Sequence, residues 1–292
     1  MTILVSGSTG AIGSQVVAGL CGKGVEVRAL ARTPDKAKLP PEVTVVKGDL
    51  LDVDSMRAAL MGVTTLFLLN AVAPDELNQA LITLNLAREM NVKQYVYFSV
   101  MHSDLYVEVP HFASKCAVER AFEHFGLSAT VLRPAYFMQN DLGLKSPLLG
   151  PGVYPTPIGN VGLSMIDTRD IVEIAVHHLI KREKALRSLE RETINLVGPD
   201  NLTGVEIARI WSAALQRQIQ FAGHDIDAFE KNLRSFAPAW FAYDIRLMFN
   251  RFQRDGMIAS QSDRALLVEE LGHPLRSYQA FAAESARQWA VS

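Results

Sequence analysis

The chain of 292 residues has little cysteine and no excess of charge of one sign. Its two cysteines, Cys21 and Cys116, lie far apart and match no CxxC or metal-binding spacing. A disulfide framework is therefore excluded, and a reducing compartment is predicted. Lys and Arg number 29 against 31 Asp and Glu, which gives a net charge of −2. Because a nearly neutral chain has no overall attraction for nucleic acid or anionic membranes, we predict neither partner.

Long apolar runs and several catalytic motifs are also missing. No stretch approaches the roughly 20 apolar residues of a membrane-spanning helix. The opening MTILVSGSTG has no basic region, and its apolar run stops at Ser6, so we expect no signal peptide and a cytoplasmic protein. HExxH, GxSxG and GxxxxGK[ST] do not occur, which excludes the zinc protease, hydrolase and P-loop classes that carry them.

No metal site is predicted. His177 and His178 have no acidic or cysteine partner at ligand spacing, and we interpret them as surface histidines. The basic residues between Lys181 and Arg191, Arg182 among them, alternate with glutamates. We interpret that segment as a solvated connection between a helix and a strand.

The first 135 residues or so alternate strand-like apolar runs with segments of helical spacing. Predicted strands cover 2–5, 25–30, 43–46, 63–69, 94–100 and 128–133, and predicted helices cover 12–20, 54–60, 75–90 and 111–125. A continuous apolar run such as 63–69 is typical of a strand that is buried on both faces. Strands separated by helices predict a doubly wound parallel sheet, a Rossmann-type α/β fold.

The pattern changes after residue 140. We expect a Rossmann domain over 1–140, completed by about 163–200, and a smaller, mainly helical substrate lobe formed by 141–162 and 201–292. Glycine and proline are dense over 146–162, which predicts a loop excursion. Thr203 and Glu206 have the spacing of a capping box, and an aromatic-rich helix is predicted over 238–252, ended by Gly256.

A glycine-rich loop lies between the first predicted strand and the first predicted helix. It reads Gly7-Ser-Thr-Gly10-Ala-Ile-Gly13, a GxxGxxG spacing rather than GxGxxG. Glycines permit a tight turn and a close approach to a pyrophosphate, and the helix N-terminus supplies N–H donors. The candidate cofactor residues of this loop are Gly7, Thr9, Gly10, Ala11, Ile12 and Gly13.

The end of the second predicted strand favours NADP(H) over NAD(H). An NAD site usually has an acidic residue there for the ribose hydroxyls, whereas this chain has Ala31-Arg32-Thr33. Arg32 is a fork-shaped donor suited to a phosphate, and Lys36 lies one turn further on. The alternative is that both are solvated charges on an exposed loop, and NAD(H) stays open.

Three motifs together resemble the NmrA-like group of atypical short-chain dehydrogenases/reductases. They are the glycine loop, Gly48-Asp49-Leu50 and the run Arg133-Pro-Ala-Tyr-Phe-Met-Gln-Asn140; the segment Leu202-Thr203-x-x-Glu206 fits the same group. The group includes NAD(P)H quinone oxidoreductases, triphenylmethane reductases, and redox-sensing proteins that bind the cofactor without evident catalysis. The resemblance runs from residue 2 to the C-terminus.

The resemblance implies cofactor contacts at further positions. Asp49 and Leu50 would lie against the adenine, and Asn70 and Ala71 would line the adenosine ribose and the pyrophosphate. Ser99 would close the fifth strand beside the nicotinamide. The residues expected to pack on the nicotinamide ring are Pro134, Tyr136 and Phe137.

The chain departs from ordinary short-chain dehydrogenases at the catalytic pair. None of its tyrosines has a lysine four residues on; the expected place holds His111-Phe-Ala-Ser-Lys115, with Ser99 before it. We predict Ser99, His111 and Lys115 as the catalytic set, with Lys115 on the nicotinamide ribose. His111 is a competent proton donor near neutral pH, although a neighbouring ammonium would disfavour its charged form. The alternative is that His111 only shapes the pocket.

The predicted substrate is a flat, apolar electrophile such as a quinone. The predicted aromatic helix carries Trp240 among other rings, and a cleft walled by aromatic side chains suits such acceptors. We assign His111, Tyr136 and Trp240 to the substrate, although individual rings are alternatively core or a dimer interface, and a homodimer stays open. The favoured function is an NAD(P)H-dependent reductase; the alternative is an NADP(H)-binding redox sensor.

Overall fold

The structure, a computed structural model, describes residues 1–187 and 189–291, the last of these without its side chain. Besides two 3-10 helices, Pro34–Lys36 and Met138–Leu144, the first ten strands and α-helices are β1 (Thr2–Val5), α1 (Gly13–Leu20), β2 (Glu26–Ala31), β3 (Thr44–Lys47), α2 (Val53–Leu60), β4 (Thr65–Leu68), α3 (Glu76–Glu89), β5 (Gln94–Phe98), α4 (Pro110–His124) and β6 (Ala129–Pro134). The remaining elements are α5 (Lys145–Leu149), β7 (Val153–Tyr154), α6 (Thr168–Glu183), β8 (Glu192–Leu196), α7 (Gly204–Leu215), β9 (Gln220–Phe221), α8 (Ile226–Leu233), α9 (Ala239–Asp255), α10 (Gln261–Leu271) and α11 (Tyr278–Val291).

Seven strands form one sheet in the order β3-β2-β1-β4-β5-β6-β8. Every pairing from β3 to β6 is parallel, and Val5 of β1 pairs with Ala29 on one side and Phe67 on the other. All residues of β1 and β4 are buried, because helices cover both faces. The strand order reverses between β1 and β4, which confirms the predicted doubly wound Rossmann-type α/β fold.

The chain divides into two compact units. The first contains Met1–Ser103, His111–Arg133 and Val172–Ile194. Its core includes Leu4, Leu66 and Tyr95, all 0% exposed, where the strands meet their covering helices.

The second unit contains Asp104–Pro110, Pro134–Ile171 and Asn195–Ser292. Its predicted helix signals are confirmed: Thr203 and Glu206 form the capping box of α7, and α9 ends at Gly256, whose φ is +71°. The loop predicted over 146–162 is wrong in part, since most of α5 and all of β7 fall in that range. Pro147 is tolerated in the first turn of α5, and β7 pairs with the distant β9.

Two predictions about the polar end of α6 are wrong in part. His177 and Lys181 are exposed as predicted, whereas His178 and the Arg182 side chain are 0% exposed rather than solvated. Arg182 donates from Nε to Thr130 Oγ1 (2.6 Å), and burial lowers the pKa of its guanidinium to about 10. His178 Nδ1 lies 3.2 Å from Glu192 Oε1. Partners distant in sequence allow both groups to be buried.

No helix of the described residues combines the length and apolar character needed to cross a membrane.

Candidate functional site

The glycine loop leaves β1 and enters α1 with no room for side chains at two of its glycines. A Cβ on Gly7, whose φ is +61°, would lie 2.2 Å from Cδ2 of Leu69. A Cβ on Gly13 would lie 2.2 Å from the carbonyl oxygen of Gly7. That oxygen accepts a hydrogen bond from the Gly10 amide (3.0 Å), which closes the turn. The loop therefore passes directly over the end of β4 and requires glycine at both positions.

The loop presents backbone rather than side chains at the start of α1. Ser8 Oγ donates to the Leu30 carbonyl oxygen (2.6 Å), and Ser6 Oγ donates to the carbonyl oxygen of Leu69 (3.0 Å), so both hydroxyls face inward. Ile12 stands at the N-cap of α1 without a side-chain cap, whereas Thr9, Gly10 and Ala11 are exposed. A helix N-terminus without a side-chain cap, preceded by an exposed loop, offers amide donors and a positive dipole end to an anion. The arrangement fits a pyrophosphate.

The candidate adenosine end lies where β2 and β3 finish side by side. Ala31 pairs with Lys47, and the Gly48 amide donates to the Ala31 carbonyl oxygen (3.1 Å). Arg32 and Asp49 follow directly, so they lie at the same edge of the sheet. Both are exposed, as is Lys36, whereas Leu50 is half-buried. Neither Arg32 nor Lys36 forms an ion pair with any described residue, and both cations remain available to a phosphate.

Lys115 is paired with an acidic residue that the sequence analysis missed. Its Nζ lies 2.6 Å from Glu76 Oε1, and the two side chains are 6% and 4% exposed. Asn70 follows β4, and its Nδ2 lies 3.4 Å from Gln79 Oε1; Ala71 beside it is exposed. Glu76 lies on the face of α3 that also buries Ala80, Thr83, Leu84 and Ala87. In the sequence, the signal that could have revealed this pair is a charged residue, Glu76, at a core-facing position of a predicted helix.

Ser99 is engaged in a second buried cluster of the first unit. Its hydroxyl donates to Glu119 Oε1, which also accepts from Ser103 Oγ (3.1 Å). Arg133 donates to the same carboxylate from Nε (3.0 Å to Oε1) and from Nη2 (2.5 Å to Oε2). Ser99 is 2% exposed, so its hydroxyl is held by a carboxylate in this structure. Glu119 was also missed, and its position on the buried face of α4 is the corresponding signal.

His111 lies in the first turn of α4, one turn before Lys115. Its ring is half-buried and packs edge-on against Phe112, with ring centroids 4.7 Å apart. The structure thus keeps the helical register of the predicted pair. His111 and Lys115 differ in environment, because the histidine reaches the surface and the lysine does not.

The residues predicted to pack on the nicotinamide, and the rings of the predicted aromatic helix, all belong to the second unit. They divide into buried or half-buried residues and exposed ones. Pro134 is buried, and Tyr136 and Phe137 are half-buried. The Tyr136 ring packs on Phe249 (6.1 Å) and Phe252 (6.0 Å between centroids), and burial raises its pKa. Phe249 and Phe252 are core, whereas the exposed rings of the helical region are Phe236, Trp240 and Tyr243. Trp240 is thus accessible to a ligand or a partner.

Asp141 is a further buried carboxyl group that the sequence analysis missed. It is 1% exposed, and its Oδ2 accepts hydrogen bonds from the hydroxyls of Tyr154 (3.1 Å) and Tyr278. Trp211 Nε1 donates in turn to the Tyr278 hydroxyl (2.9 Å). Burial raises the pKa of Asp141 to about 7, against the lowering effect of the two tyrosines.

The sheet order, with a glycine loop at its point of reversal, defines a Rossmann-type α/β protein. Within that class, the chain belongs to the NmrA-like family, whose profile it matches over residues 1–271. The resemblance drawn from its motifs is thereby confirmed.

Two of the sequence relatives are reductases by name, whereas another, 26% identical over 194 residues that cover 63% of this chain and 60% of the relative, is the photosystem II assembly factor Ycf39 of Cyanophora paradoxa. The NAD(P)H azoreductase of Xenophilus azovorans is 30% identical over 223 residues, which cover 75% of this chain and 76% of the relative. A (4-alkanoyl-5-oxo-2,5-dihydrofuran-3-yl)methyl phosphate reductase of Streptomyces griseus is 30% identical over 297 residues, covering 99% of each chain.

A solved structure shares the fold. An NADPH-dependent quinone oxidoreductase from Escherichia coli, complexed with NADPH, superposes with a TM-score of 0.84 at 22% identity, covering 98% of this chain and 99% of the other.

Proposed function

We propose that this protein is an NADPH-dependent reductase of quinone-like or other apolar electrophilic small molecules. The observation that carries the proposal is the glycine loop, where a Cβ on Gly13 would lie 2.2 Å from the Gly7 oxygen and the residues Thr9, Gly10 and Ala11 just before the uncapped start of α1 are exposed. The names of two relatives, the azoreductase and the phosphate reductase, support a reductase, and the solved quinone oxidoreductase contains NADPH. Bound NADPH would supply the hydride.

The residues of this chain would bind and orient the reactants. We assign the pyrophosphate to the glycine loop, the 2′-phosphate to Arg32 and Lys36, and the nicotinamide ribose to Lys115. Further cofactor contacts are assigned to Asp49, Leu50, Asn70, Ala71, Ser99, Pro134, Tyr136 and Phe137. Tyr136 and Trp240 are assigned to the acceptor.

The basicity of the reduced oxygen distinguishes quinones from ketones, because a phenolate is a much weaker base than an alkoxide. Reduction of a quinone takes one hydride, which carries two electrons, from NADPH and one proton, and it yields one hydroquinone and one NADP⁺. Because the hydroquinone oxygens also accept protons from water, His111 assists rather than controls the step. Equal amounts of NADP⁺ and hydroquinone should therefore form; NADP⁺ without hydroquinone would contradict hydride transfer to the quinone.

The preference for NADPH is tested at Arg32. Arg32→Ala should lower the affinity for NADPH by roughly tenfold to hundredfold, because it removes charge-assisted hydrogen bonds to the 2′-phosphate. The affinity for NADH, which lacks that phosphate, should change little. Fluorescence titration of both cofactors measures the two constants. Equal losses for NADPH and NADH would contradict the phosphate role of Arg32.

A further inference from the structure

The ion pair between Glu76 and Lys115 is buried at the end of the sheet where β4 and β5 finish. Glu76 lies in the first turn of α3, and Lys115 lies on α4. Apart from their 2.6 Å contact, Lys115 Nζ and both Glu76 carboxylate oxygens have no hydrogen-bond partner among the described residues. Burying two charges is costly unless their remaining donors and acceptors are also satisfied. The pair therefore retains binding capacity for a polar group.

Asn70 adds a third unsatisfied group beside the glycine loop. Its Oδ1 is buried without a partner among the described residues, while its Nδ2 contacts Gln79, which lies one turn after Glu76. Leu69, the residue before it, is the one that a Cβ on Gly7 would strike. Asn70 thus directly follows the residue that lies against the glycine loop, and its amide contacts α3 through Gln79. A vicinal diol, which donates and accepts hydrogen bonds, matches this mixture of ammonium, carboxylate and amide oxygen.

We propose that Glu76 is a positioning residue, which holds the Lys115 ammonium in place for the nicotinamide ribose of NADPH. The inference rests on the proposed function. A lysine side chain has four rotatable bonds and a strongly hydrated head group, so without a buried partner it extends towards water. Glu76 uses one of the three ammonium hydrogens, and the others remain for the ribose hydroxyls.

A double-mutant cycle tests whether Glu76 acts through Lys115. The variants are Glu76→Gln, Lys115→Met and the double variant, and the ligands are NADPH and adenosine 2′,5′-bisphosphate, which lacks the nicotinamide ribose. Glu76→Gln should weaken NADPH binding about tenfold and leave the bisphosphate unchanged. The double variant should bind NADPH no more weakly than Lys115→Met, because Glu76 has no effect once its lysine is gone.

Thermal unfolding separates this role from a general loss of structure. Lys115→Met leaves the Glu76 carboxylate buried and unpaired, so its Tm should fall, and the double variant should recover part of the loss. Glu183→Gln is the matched control: Glu183 is buried at the opposite end of β4, where it accepts from Thr64 and Thr65 hydroxyls. The Glu183→Gln variant should have a lower Tm than wild type but the same ratio of NADPH affinity to bisphosphate affinity.

The outcomes separate the inference from the proposed function. If wild-type protein binds NADPH but Glu76→Gln leaves the ratio of NADPH affinity to bisphosphate affinity unchanged, the inference alone is overturned. Additive losses in the double variant would also overturn it. Wild-type protein that binds neither NADPH nor the bisphosphate would overturn both the inference and the proposed function.

Discussion

Replacing Gly13 with alanine should lower the affinity for NADPH by on the order of a hundredfold, equivalent to about 2.7 kcal/mol. The added Cβ would lie 2.2 Å from the Gly7 carbonyl oxygen and 2.7 Å from the Gly7 carbonyl carbon. Both are backbone atoms, so no side-chain rotation relieves the overlap, and the loop must move. A displaced loop no longer presents its amides to the pyrophosphate, because hydrogen bonds depend steeply on distance and angle.

The measurement is an NADPH titration of the variant beside Gly143→Ala. Gly143 has no heavy atom within 4 Å of an added Cβ and no positive φ, so its substitution should leave the dissociation constant unchanged. Circular dichroism verifies that both variants remain folded. Normal NADPH affinity in folded Gly13→Ala would refute the assignment of the pyrophosphate to this loop.

The stability of the protein should depend on pH through Asp141. The folded state raises the pKa of this carboxyl group from 3.8 to about 7, chiefly by burial. The folded protein therefore holds the proton more tightly than the unfolded chain does. Its contribution to stability is full below about pH 4 and is lost as the pH rises towards 7. The contribution should decrease by roughly 2–3 kcal/mol between about pH 5 and about pH 8.

Asp141→Asn removes this titration while retaining an acceptor for the hydroxyls of Tyr154 and Tyr278. Urea unfolding at both pH values should show the variant gaining stability relative to wild type as the pH rises. Asp35→Asn is the control, since Asp35 is exposed and makes no hydrogen bond or ion pair with a described residue. A stability difference between wild type and Asp141→Asn that stays constant with pH would contradict the shifted titration.

Local sequence signals were sufficient for the fold. The run predicted as a strand over 63–69 is β4, because seven consecutive residues without a charged side chain suit a strand that is covered on both faces. The capping box at Thr203 and the glycine at position 256 set helix ends through neighbouring backbone groups. Such interactions lie within a few residues of one another and are legible in a single sequence.

The buried charges could not be predicted in the same way. The sequence pattern predicts a solvated Arg182, yet Thr130 and Ser128, more than fifty positions away, accept its hydrogen bonds. Likewise, Lys115 meets Glu76 only because α3 and α4 follow neighbouring strands of the sheet. The cost of burying a charge depends on such distant partners. The roles assigned to the individual site residues stay predictions.

Initial rates of NADPH oxidation show whether this chain uses NADPH to reduce apolar acceptors, as we propose. Wild type, Gly13→Ala and a sample without enzyme are compared with a panel of quinones, with NADH in parallel. We expect turnover by wild type well above the sample without enzyme, faster with NADPH than with NADH, and lost in Gly13→Ala. Tight NADPH binding without turnover of any acceptor would contradict the reductase and favour the redox sensor.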